Sequence, residues 1–374
     1  MERWDVHTHT TTSPDTFDAL ARFSRYADFI RIRGHATHRC CAEMVNSKGE
    51  VQRIIEDNAY DGAARIADCD EHGVTLQVLS PTPMMLPDYV DNAQDAIDIC
   101  RILNDDNAAT VARFPKRFLA LGALPLQFPD AAIAELERIK SQHNMPGFEI
   151  NSNINGMELD DARIFPVFEA ASALGMAVFI HPWGGFMTPT EERLKKRMNP
   201  GRNWRPWLVG MVMETALAFD SMRCGGVHER LPKLRVMYAH GGGAVAGLLG
   251  RLEHGAYARP DLFAGPSRLN PYDTIKNCGV YVDTLVHDEN VLRLLLAQFG
   301  IHRVAMGSDY PYPLGEIDPY DAATYFDAQG NRCPYPKPKA IYPGHIIDYL
   351  PGLKLAEKER LFSGTAREWL GLHG

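Results

Sequence analysis

The sequence contains no run of about 18 apolar residues, and without such a run no transmembrane helix is expected. The residues from Met1 to His7 lack a charged region followed by an apolar run, so no secretory signal is expected either. Basic residues are in deficit, because 39 Lys and Arg stand against 47 Asp and Glu. The net charge of −8 argues against nucleic acid or an anionic membrane as a partner. These absences together predict a cytoplasmic protein.

Cysteine is scarce, and its pattern does not suggest pairing. The seven cysteines are odd in number, and none forms a C-x-x-C pair, so we expect reduced cysteines that act as small hydrophobic residues. A chain of 374 residues buries enough surface to need no disulfides. No repeat of fixed period occurs, so a repeat architecture is not indicated.

Short β-rich runs alternate with helical stretches along the chain, which is typical of a parallel α/β fold. Helices are predicted at Gly62–His72, Asp91–Phe114, Asp130–Lys140 and Phe165–Leu174, where apolar residues recur at helical spacing. Eight runs are predicted as strands, namely Trp4–His9, Thr75–Ser80, Phe118–Leu124, Gly147–Asn151, Ala177–His181, Arg235–His240, Gly279–Asp283 and Val304–Ser308. Eight strands with helices between them indicate a closed (β/α)8 TIM barrel, and we expect residues 1–374 to form it as a single domain with two insertions.

Two segments are predicted as loop insertions in this barrel. Residues 187–205 are basic and contain Pro and Gly, and we expect them to cover the pocket or to build a subunit contact. Residues 317–345 contain several Tyr and Pro and are too irregular for helix or strand. The second insertion is therefore expected to form a lid or a subunit contact.

Candidate metal ligands fall at the predicted carboxyl ends of the strands, which face one cavity in a barrel. Because a strand alternates its faces, His7 and His9 on the first strand project together. His181 ends the fifth strand, and Asp309 follows the eighth. Three imidazoles and one carboxylate suit zinc, with Mn²⁺ as an alternative cation. The competing interpretation, that each His caps its strand and bonds a loop carbonyl, is weaker for the whole set than for any one member.

Four motifs stand out along the chain, namely Asp5-Val-His7-Thr-His9, His181-Pro182-Trp183, Ala239-His240-Gly-Gly-Gly243 and Gly307-Ser-Asp309-Tyr-Pro311. Together they resemble the amidohydrolase superfamily, and more narrowly its 2-amino-3-carboxymuconate-6-semialdehyde decarboxylase branch. The resemblance covers most of the chain and breaks at the two insertions. It implies that His7, His9, His181 and Asp309 bind a divalent metal, usually zinc, and that His240 acts as general acid/base beside it.

The resemblance also implies two substrate-binding arginines. Arg53 corresponds to the first, and Arg251 to a second that the neighbouring subunit supplies, so a homodimer or higher homo-oligomer is expected. A guanidinium suits a carboxylate because it donates two parallel hydrogen bonds. From the residues alone, however, a solvated surface charge is the simpler interpretation of each.

Other residues near these motifs allow only general expectations. Gly241–Gly243 should let the backbone approach closely and leave room for substrate. Met84, Met85 and Trp183 should line a pocket wall or the core. Asp283, His287 and Asp288 fit support of a metal ligand and ordinary loop capping equally well.

The predicted function is a zinc-dependent, non-oxidative carboxy-lyase, with Asp309 and His240 at the reaction centre. Its substrate is a small molecule, an amino-carboxymuconate semialdehyde or a related unsaturated or aromatic carboxylic acid. Two routes stay open: attack by water that the metal activates, or direct coordination of the substrate. The alternatives are a hydrolase or hydratase on the same metal site and a metal-stabilised binding protein without activity.

Overall fold

The computed structural model describes residues 1–13, 16–26, 31–34, 42–45, 49–199, 203–263, 265–316, 324–326, 332–334 and 341–372. The strands, numbered β1 to β13 in chain order, are Trp4–Thr10, Arg31–Gly34, Ala42–Val45, Val51–Ile55, Leu76–Pro81, Phe118–Ala123, Gly147–Asn151, Ala177–His181, Val236–Tyr238, Val280–Asp283, Val304–Ala305, Thr324–Phe326 and Arg332–Pro334.

The helices lie mostly between the barrel strands, and several have capping residues that fix their first turn. Asp61, Asn92 and Asp288 each accept a hydrogen bond from a backbone amide of the helix that follows. The helices are Phe17–Ala21, Gly62–His72, Ala93–Arg113, Pro129–His143, Phe165–Ala173, Glu192–Arg197, Met211–Cys224, Val227–Arg230, Val245–Ala258, Pro271–Asn277, Glu289–Phe299, His345–Tyr349, Leu355–Glu359 and Thr365–Leu370. In the part of the chain described, none is both long and apolar enough to cross a membrane.

Eight parallel strands form one sheet in the order β1-β5-β6-β7-β8-β9-β10-β11. The sheet closes because β1 also bonds to the segment at the end of β11. Asp309 donates its backbone N–H to the carbonyl of His7 over 2.8 Å, and His9 donates to the carbonyl of Tyr310 over 2.7 Å. The side chain of Asp5 reinforces the closure by accepting the backbone N–H of Ser308 over 3.0 Å. The predicted TIM barrel is confirmed, and its strands lie where the sequence predicted them to within three residues.

Two small sheets lie outside the barrel and were not predicted. Strands β2, β3 and β4 form an antiparallel sheet in the segment of the chain that connects β1 to β5. Strands β12 and β13 pair within the insertion 317–345, so the prediction that this insertion is too irregular for strand is wrong there. Most of the rest of that insertion, residues 317–323, 327–331 and 335–340, lies outside the described residues. The insertion 187–205 contains the short helix Glu192–Arg197.

Apolar side chains fill the barrel interior below the carboxyl ends of its strands. This interior cluster includes Val78, Phe179, Met237 and Tyr281. The final helix adds Trp369, whose side chain is fully buried and whose ring centroid lies 6.1 Å from that of Phe179. The carbonyl of Trp369 accepts a hydrogen bond from Arg235, just before β9, so this helix closes the end of the barrel opposite the carboxyl ends.

The burial of Trp369 gives a prediction for stability. Trp369→Ala leaves a cavity in the barrel interior and should lower the free energy of unfolding by about 3–5 kcal/mol. Urea denaturation followed by circular dichroism measures the change. Leu355→Ala, at a side chain that is 66% exposed, is the control and should change stability by less than about 0.5 kcal/mol. Equal stability of the two variants would contradict the packing described.

Candidate active site

β1 directs two histidines to the same point in the barrel mouth. The Nε2 atoms of His7 and His9 lie 3.2 Å apart, and both side chains are fully buried. The pairing of β1 with β5 shifts register between Asp5 and Thr8. Bulges of this kind often re-aim side chains beside active sites. The two histidines therefore project together from β1, as predicted, although the strand is irregular close to them.

His181 and Asp309 reach the same point from other strands. The ring centroid of His181, at the end of β8, lies 4.7 Å from that of His9. Oδ1 of Asp309 lies 3.1 Å from Nε2 of His9 and 3.5 Å from Nε2 of His7. The backbone of Asp309 is in the left-handed region, with φ of 58°, and such strain is common at functional sites. The structure thus brings together all four residues that the sequence predicted as metal ligands.

His240 lies beside this cluster. Its ring centroid is 5.0 Å from those of His7 and of His181, and its Nε2 is 3.8 Å from Oδ2 of Asp309. A donor atom of His240 lies within 4.8 Å of donor atoms of His7, His181 and Asp309. About 10% of the side chain is exposed, so a substrate in the barrel mouth could reach it.

Asp283 holds two parts of the site in place. Its Oδ2 accepts a hydrogen bond from Nδ1 of His7 over 2.7 Å and from the backbone N–H of His240 over 2.9 Å. Its Oδ1 accepts from the backbone N–H of Gly241 and of Leu285. With Nδ1 of His7 bonded to a carboxylate, the lone pair of Nε2 faces the cluster. Asp283 therefore supports a predicted ligand as well as its own loop, whereas Asp288 caps a helix.

The three glycines after His240 are required by backbone conformation and packing. Gly241 has φ of 63°, and an added Cβ would lie 2.3 Å from Cγ1 of Val286. A Cβ at Gly243 would lie 2.3 Å from the carbonyl oxygen of Val212. The expected close approach of the backbone is present, but protein atoms fill the space beside these two glycines. The expectation that they leave room for substrate is therefore wrong for both.

The donor set fits a divalent cation. Among the described residues, neither ring nitrogen of His181 has a hydrogen-bond partner. A buried polar atom without a partner is costly, and a cation bound by one of these nitrogens gives that atom a partner. Three imidazole nitrogens with one carboxylate oxygen match the preferences of zinc and are accepted by related divalent ions.

The electrostatic surroundings favour a neutral imidazole at His9 and at His181 and an ionised Asp309. Burial lowers the pKa of His9 to about 4 and the pKa of His181 well below its ordinary value. Burial would raise the pKa of Asp309, but its interactions with His240 and His9 hold that pKa well below the usual range. Burial likewise opposes protonation of His7, yet the bond to Asp283 leaves the pKa of His7 raised. Neutral imidazole and ionised carboxylate are the forms that bind a metal.

A mostly apolar pocket opens above the cluster and contains about 480 Å³ of empty space, including its mouth. Trp204 and Trp207 form part of its wall, with ring centroids 5.8 Å apart and planes inclined by 34°. No Lys or Arg occurs among the described residues that line the pocket, which are His9, Thr82, Pro83, Met84, His181, Trp183, Trp204, Trp207, Met211, Asp309, Tyr312, Pro313 and Leu314.

The predicted pocket and substrate residues are only partly found there. Met84 and Trp183 line the pocket, whereas Met85 is buried in a neighbouring core cluster. Arg251 lies exposed on the helix Val245–Ala258 and does not line the pocket of its own chain. Arg53 belongs to β4, but its side chain lies outside the described part of the chain.

Several residues at the site were not predicted from the sequence. Trp204 and Trp207 flank Pro206 at the end of the first insertion, and two tryptophans at the end of a basic, polar segment were the available signal. Glu149 is fully buried in β7 beside His9, with Oε1 3.9 Å from Nδ1 of that histidine. The signal for Glu149 was a charged residue in the middle of a predicted barrel strand, Gly147–Asn151.

A TIM barrel with imidazoles and a carboxylate gathered at the carboxyl ends of its strands defines a barrel enzyme of the metal-binding type. The chain belongs to the amidohydrolase family, whose model matches residues 4–372. It is 39% identical over 368 residues to a 2-amino-3-carboxymuconate-6-semialdehyde decarboxylase from Dictyostelium discoideum, covering 98% of this chain and 91% of that protein. The protein of the same name from Caenorhabditis elegans is 31% identical and covers 84% and 86% of the two chains. These relatives confirm the predicted resemblance and the predicted class of enzyme, a carboxy-lyase.

Solved structures show the same fold. A 5-carboxyvanillate decarboxylase from Sphingomonas paucimobilis superposes with a TM-score of 0.76 at 23% identity, covering 100% of this chain and 99% of that chain. A 5-carboxyvanillate decarboxylase from Novosphingobium aromaticivorans, complexed with manganese and a nitrobenzoic acid, superposes with a TM-score of 0.74 at 20% identity over 99% and 96% of the chains.

The role of Asp283 can be tested by one substitution. In Asp283→Asn an amide nitrogen replaces one of two oxygens that both accept hydrogen bonds, so His7 or the His240 turn loses its partner. We expect binding of a divalent metal to weaken by about 10- to 100-fold, measured by competition with a chelator. Asp288→Asn is the matched control, because Asn caps a helix as well as Asp does, and its affinity should equal that of the wild type. Wild-type affinity in Asp283→Asn would show that this carboxylate does not support the site.

Proposed function

We propose that this protein is a metal-dependent, non-oxidative decarboxylase of a small unsaturated or aromatic carboxylic acid. The 2-amino-3-carboxymuconate-6-semialdehyde class is the first candidate substrate, because the relatives with the highest identity named above carry that name. The observation that carries the proposal is the convergence of His7, His9, His181 and Asp309 with His240 beneath an apolar pocket.

We assign the metal to His7, His9, His181 and Asp309. The unpartnered ring nitrogens of His181 and the lowered pKa values of His9 and His181 support this assignment. Zinc is our first choice for three nitrogens and one oxygen, and manganese is the second, because it occurs in the related decarboxylase structure. When bound, a divalent cation supplies Lewis acidity toward an oxygen of substrate or water.

His240 is assigned the proton transfer. Decarboxylation breaks the bond between carbon and the carboxylate, CO₂ leaves, and the electron pair stays on that carbon, which then takes a proton. His240 borders the metal cluster and is partly exposed. Among the described residues its ring nitrogens have no hydrogen-bond partner, and Oδ2 of Asp309 lies 3.8 Å from Nε2. It can therefore give a proton to a substrate carbon or take one from water.

The pocket wall supports a flat, conjugated substrate. Trp183, Trp204, Trp207 and Tyr312 present aromatic surfaces, and Met84 adds an adaptable apolar one. Since none of the described lining residues is Lys or Arg, a substrate carboxylate that does not leave needs a cation from elsewhere. Arg53 of the same chain and Arg251 of a second chain are the proposed sources.

The activity is tested by CO₂ release from purified, metal-loaded protein. The panel consists of amino-carboxymuconate semialdehyde, 2,6-dihydroxybenzoate and 5-carboxyvanillate, each followed by its absorbance and by evolved CO₂. We expect release from the first. Consumption of a substrate with addition of water and no CO₂ would instead identify a hydratase, and inertness toward all three would refute the proposal.

The proton transfer gives a prediction for His240→Gln. Loss of a general acid/base should lower kcat by about 10²- to 10⁴-fold on the substrate that the panel identifies. Metal content, measured by elemental analysis, should stay at the wild-type level, because His240 is not among the four assigned ligands. Loss of metal together with activity would make His240 a ligand and contradict the assignment.

A second copy of the chain is the proposed source of Arg251. The helix that carries Arg251 packs against the helix Met211–Cys224. Large apolar side chains are exposed on and around these helices, namely Leu208, Val209, Leu217, Tyr257 and Leu262. Exposed apolar groups concentrated in this way suit a subunit interface, and two-fold symmetry makes such an interface reciprocal.

Mixed dimers test whether Arg251 acts across that interface. We expect Arg251→Ala to lower kcat/KM by about 10- to 100-fold, through loss of a charged hydrogen bond to the substrate. Co-expression of Arg251→Ala with His240→Gln should restore about a quarter of wild-type activity, because half of the dimers then contain one intact site. Co-expression of His240→Gln with Asp309→Asn is the control and should restore none. Absence of recovery in the first pair would mean that Arg251 acts within its own chain or not at all.

A further inference from the structure

Glu149 is a fully buried acidic residue whose position the proposed reaction does not explain. It lies on β7, which pairs with β8 so that Asn151 is opposite His181 and Glu149 is opposite Phe179. Paired residues of parallel strands point to the same side of a sheet, and Phe179 points into the barrel, 5.0 Å from the ring of His7. The side chain of Glu149 therefore enters the barrel interior directly below the metal-binding cluster.

The carboxyl group of Glu149 lies beside two of the assigned ligands. Its Oε1 is 3.9 Å from Nδ1 of His9, and one donor atom each of Glu149, His9 and His181 lie within 4.8 Å of one another. Nδ1 of His9 faces away from the cluster, because Nε2 of the same ring is the atom near Asp309. Nδ1 has no hydrogen-bond partner among the described residues. Nδ1 of His9, a donor without an acceptor, therefore lies beside the carboxyl group of Glu149, an acceptor without a charged partner.

His7 shows what such an arrangement does when it is complete. There, Nδ1 bonds to Asp283 over 2.7 Å and Nε2 faces the cluster. An acceptor on the outer nitrogen fixes the tautomer and the orientation of a metal-binding imidazole and increases its basicity. Burial of a carboxyl group is costly, and a cation held by His9 and His181 would offset that cost at Glu149.

We propose that Glu149 is a positioning residue for the metal centre, accepting a hydrogen bond from Nδ1 of His9 when the metal is bound. It keeps Nε2 of His9 directed at the metal, as Asp283 does for His7. The role rests on the proposed function, because it requires that His9 and His181 bind a metal. It adds to that function a residue outside the four ligands that sets metal affinity.

Two substitutions of Glu149 test this role. Glu149→Gln keeps an acceptor oxygen without the carboxyl group, and Glu149→Met removes the acceptor while filling the space. We expect affinity for Zn²⁺ and Mn²⁺, measured by chelator competition, to fall by about 10-fold in the first and about 100-fold in the second. The visible absorption bands of the Co²⁺-loaded protein should shift in both, because the geometry at His9 changes. The melting temperature of the metal-free protein should not fall, since a buried carboxyl group is removed.

Glu135→Gln is the matched control, because Glu135 is also buried but bonds to Arg138 and Asn104 on helices outside the barrel. It should lower the melting temperature and leave metal affinity unchanged. Wild-type affinity and an unshifted Co²⁺ spectrum in both Glu149 variants would refute the role of Glu149. The same loss of affinity in Glu135→Gln would also refute it, as a general effect of destabilisation. If the wild-type protein itself binds no metal, the proposed function fails, and that result differs from either of these.

Discussion

The bond between Asp283 and His7 is the interaction on which the site depends. The carboxylate of Asp283, at the end of β10, accepts a hydrogen bond from Nδ1 of His7 on β1. It also accepts hydrogen bonds from backbone N–H groups of the turn that begins at His240. These three parts of the chain are far apart in sequence, and only closure of the barrel brings them together. The positions of His7 and His240 are therefore coupled, because a shift of Asp283 would move both.

The metal-binding cluster places several polar side chains in a buried part of the barrel, where their loss of hydration costs free energy. Below it the barrel interior is apolar, and His7, His9 and Glu149 are fully buried. The chain reduces the cost by keeping the imidazoles of His9 and His181 neutral and by bonding carboxylates to donors, as at Asp283 and at Asp5 with Ser308. Both ring nitrogens of His181 remain without partners among the described residues, and a bound cation would satisfy the one that faces the cluster.

The apolar pocket and the polar cluster divide the recognition of substrate between them. The aromatic wall provides shape and apolar contact, while the polar groups lie mainly at the floor, where Asp309 is ionised and His9 and His181 are neutral. A negatively charged substrate therefore finds little attraction in the described pocket wall itself. This is why the proposal assigns the binding of that charge to Arg53 and to Arg251 of a second chain, outside the described pocket lining.

The sequence by itself determined the barrel and the identity of the clustered side chains. Alternating strands and helices predicted the eight barrel strands, and the i, i+2 spacing of His7 and His9 predicted that both face one cavity. Local patterns suffice for such features, since strand alternation and helix periodicity depend on neighbouring residues. Only the tertiary structure decided which acidic residue supports which histidine, why the glycines after His240 cannot carry side chains, and how the two tryptophans beside Pro206 enter the wall. These relations join residues tens to hundreds of positions apart, and closure of the barrel sets their distances, which no local pattern encodes.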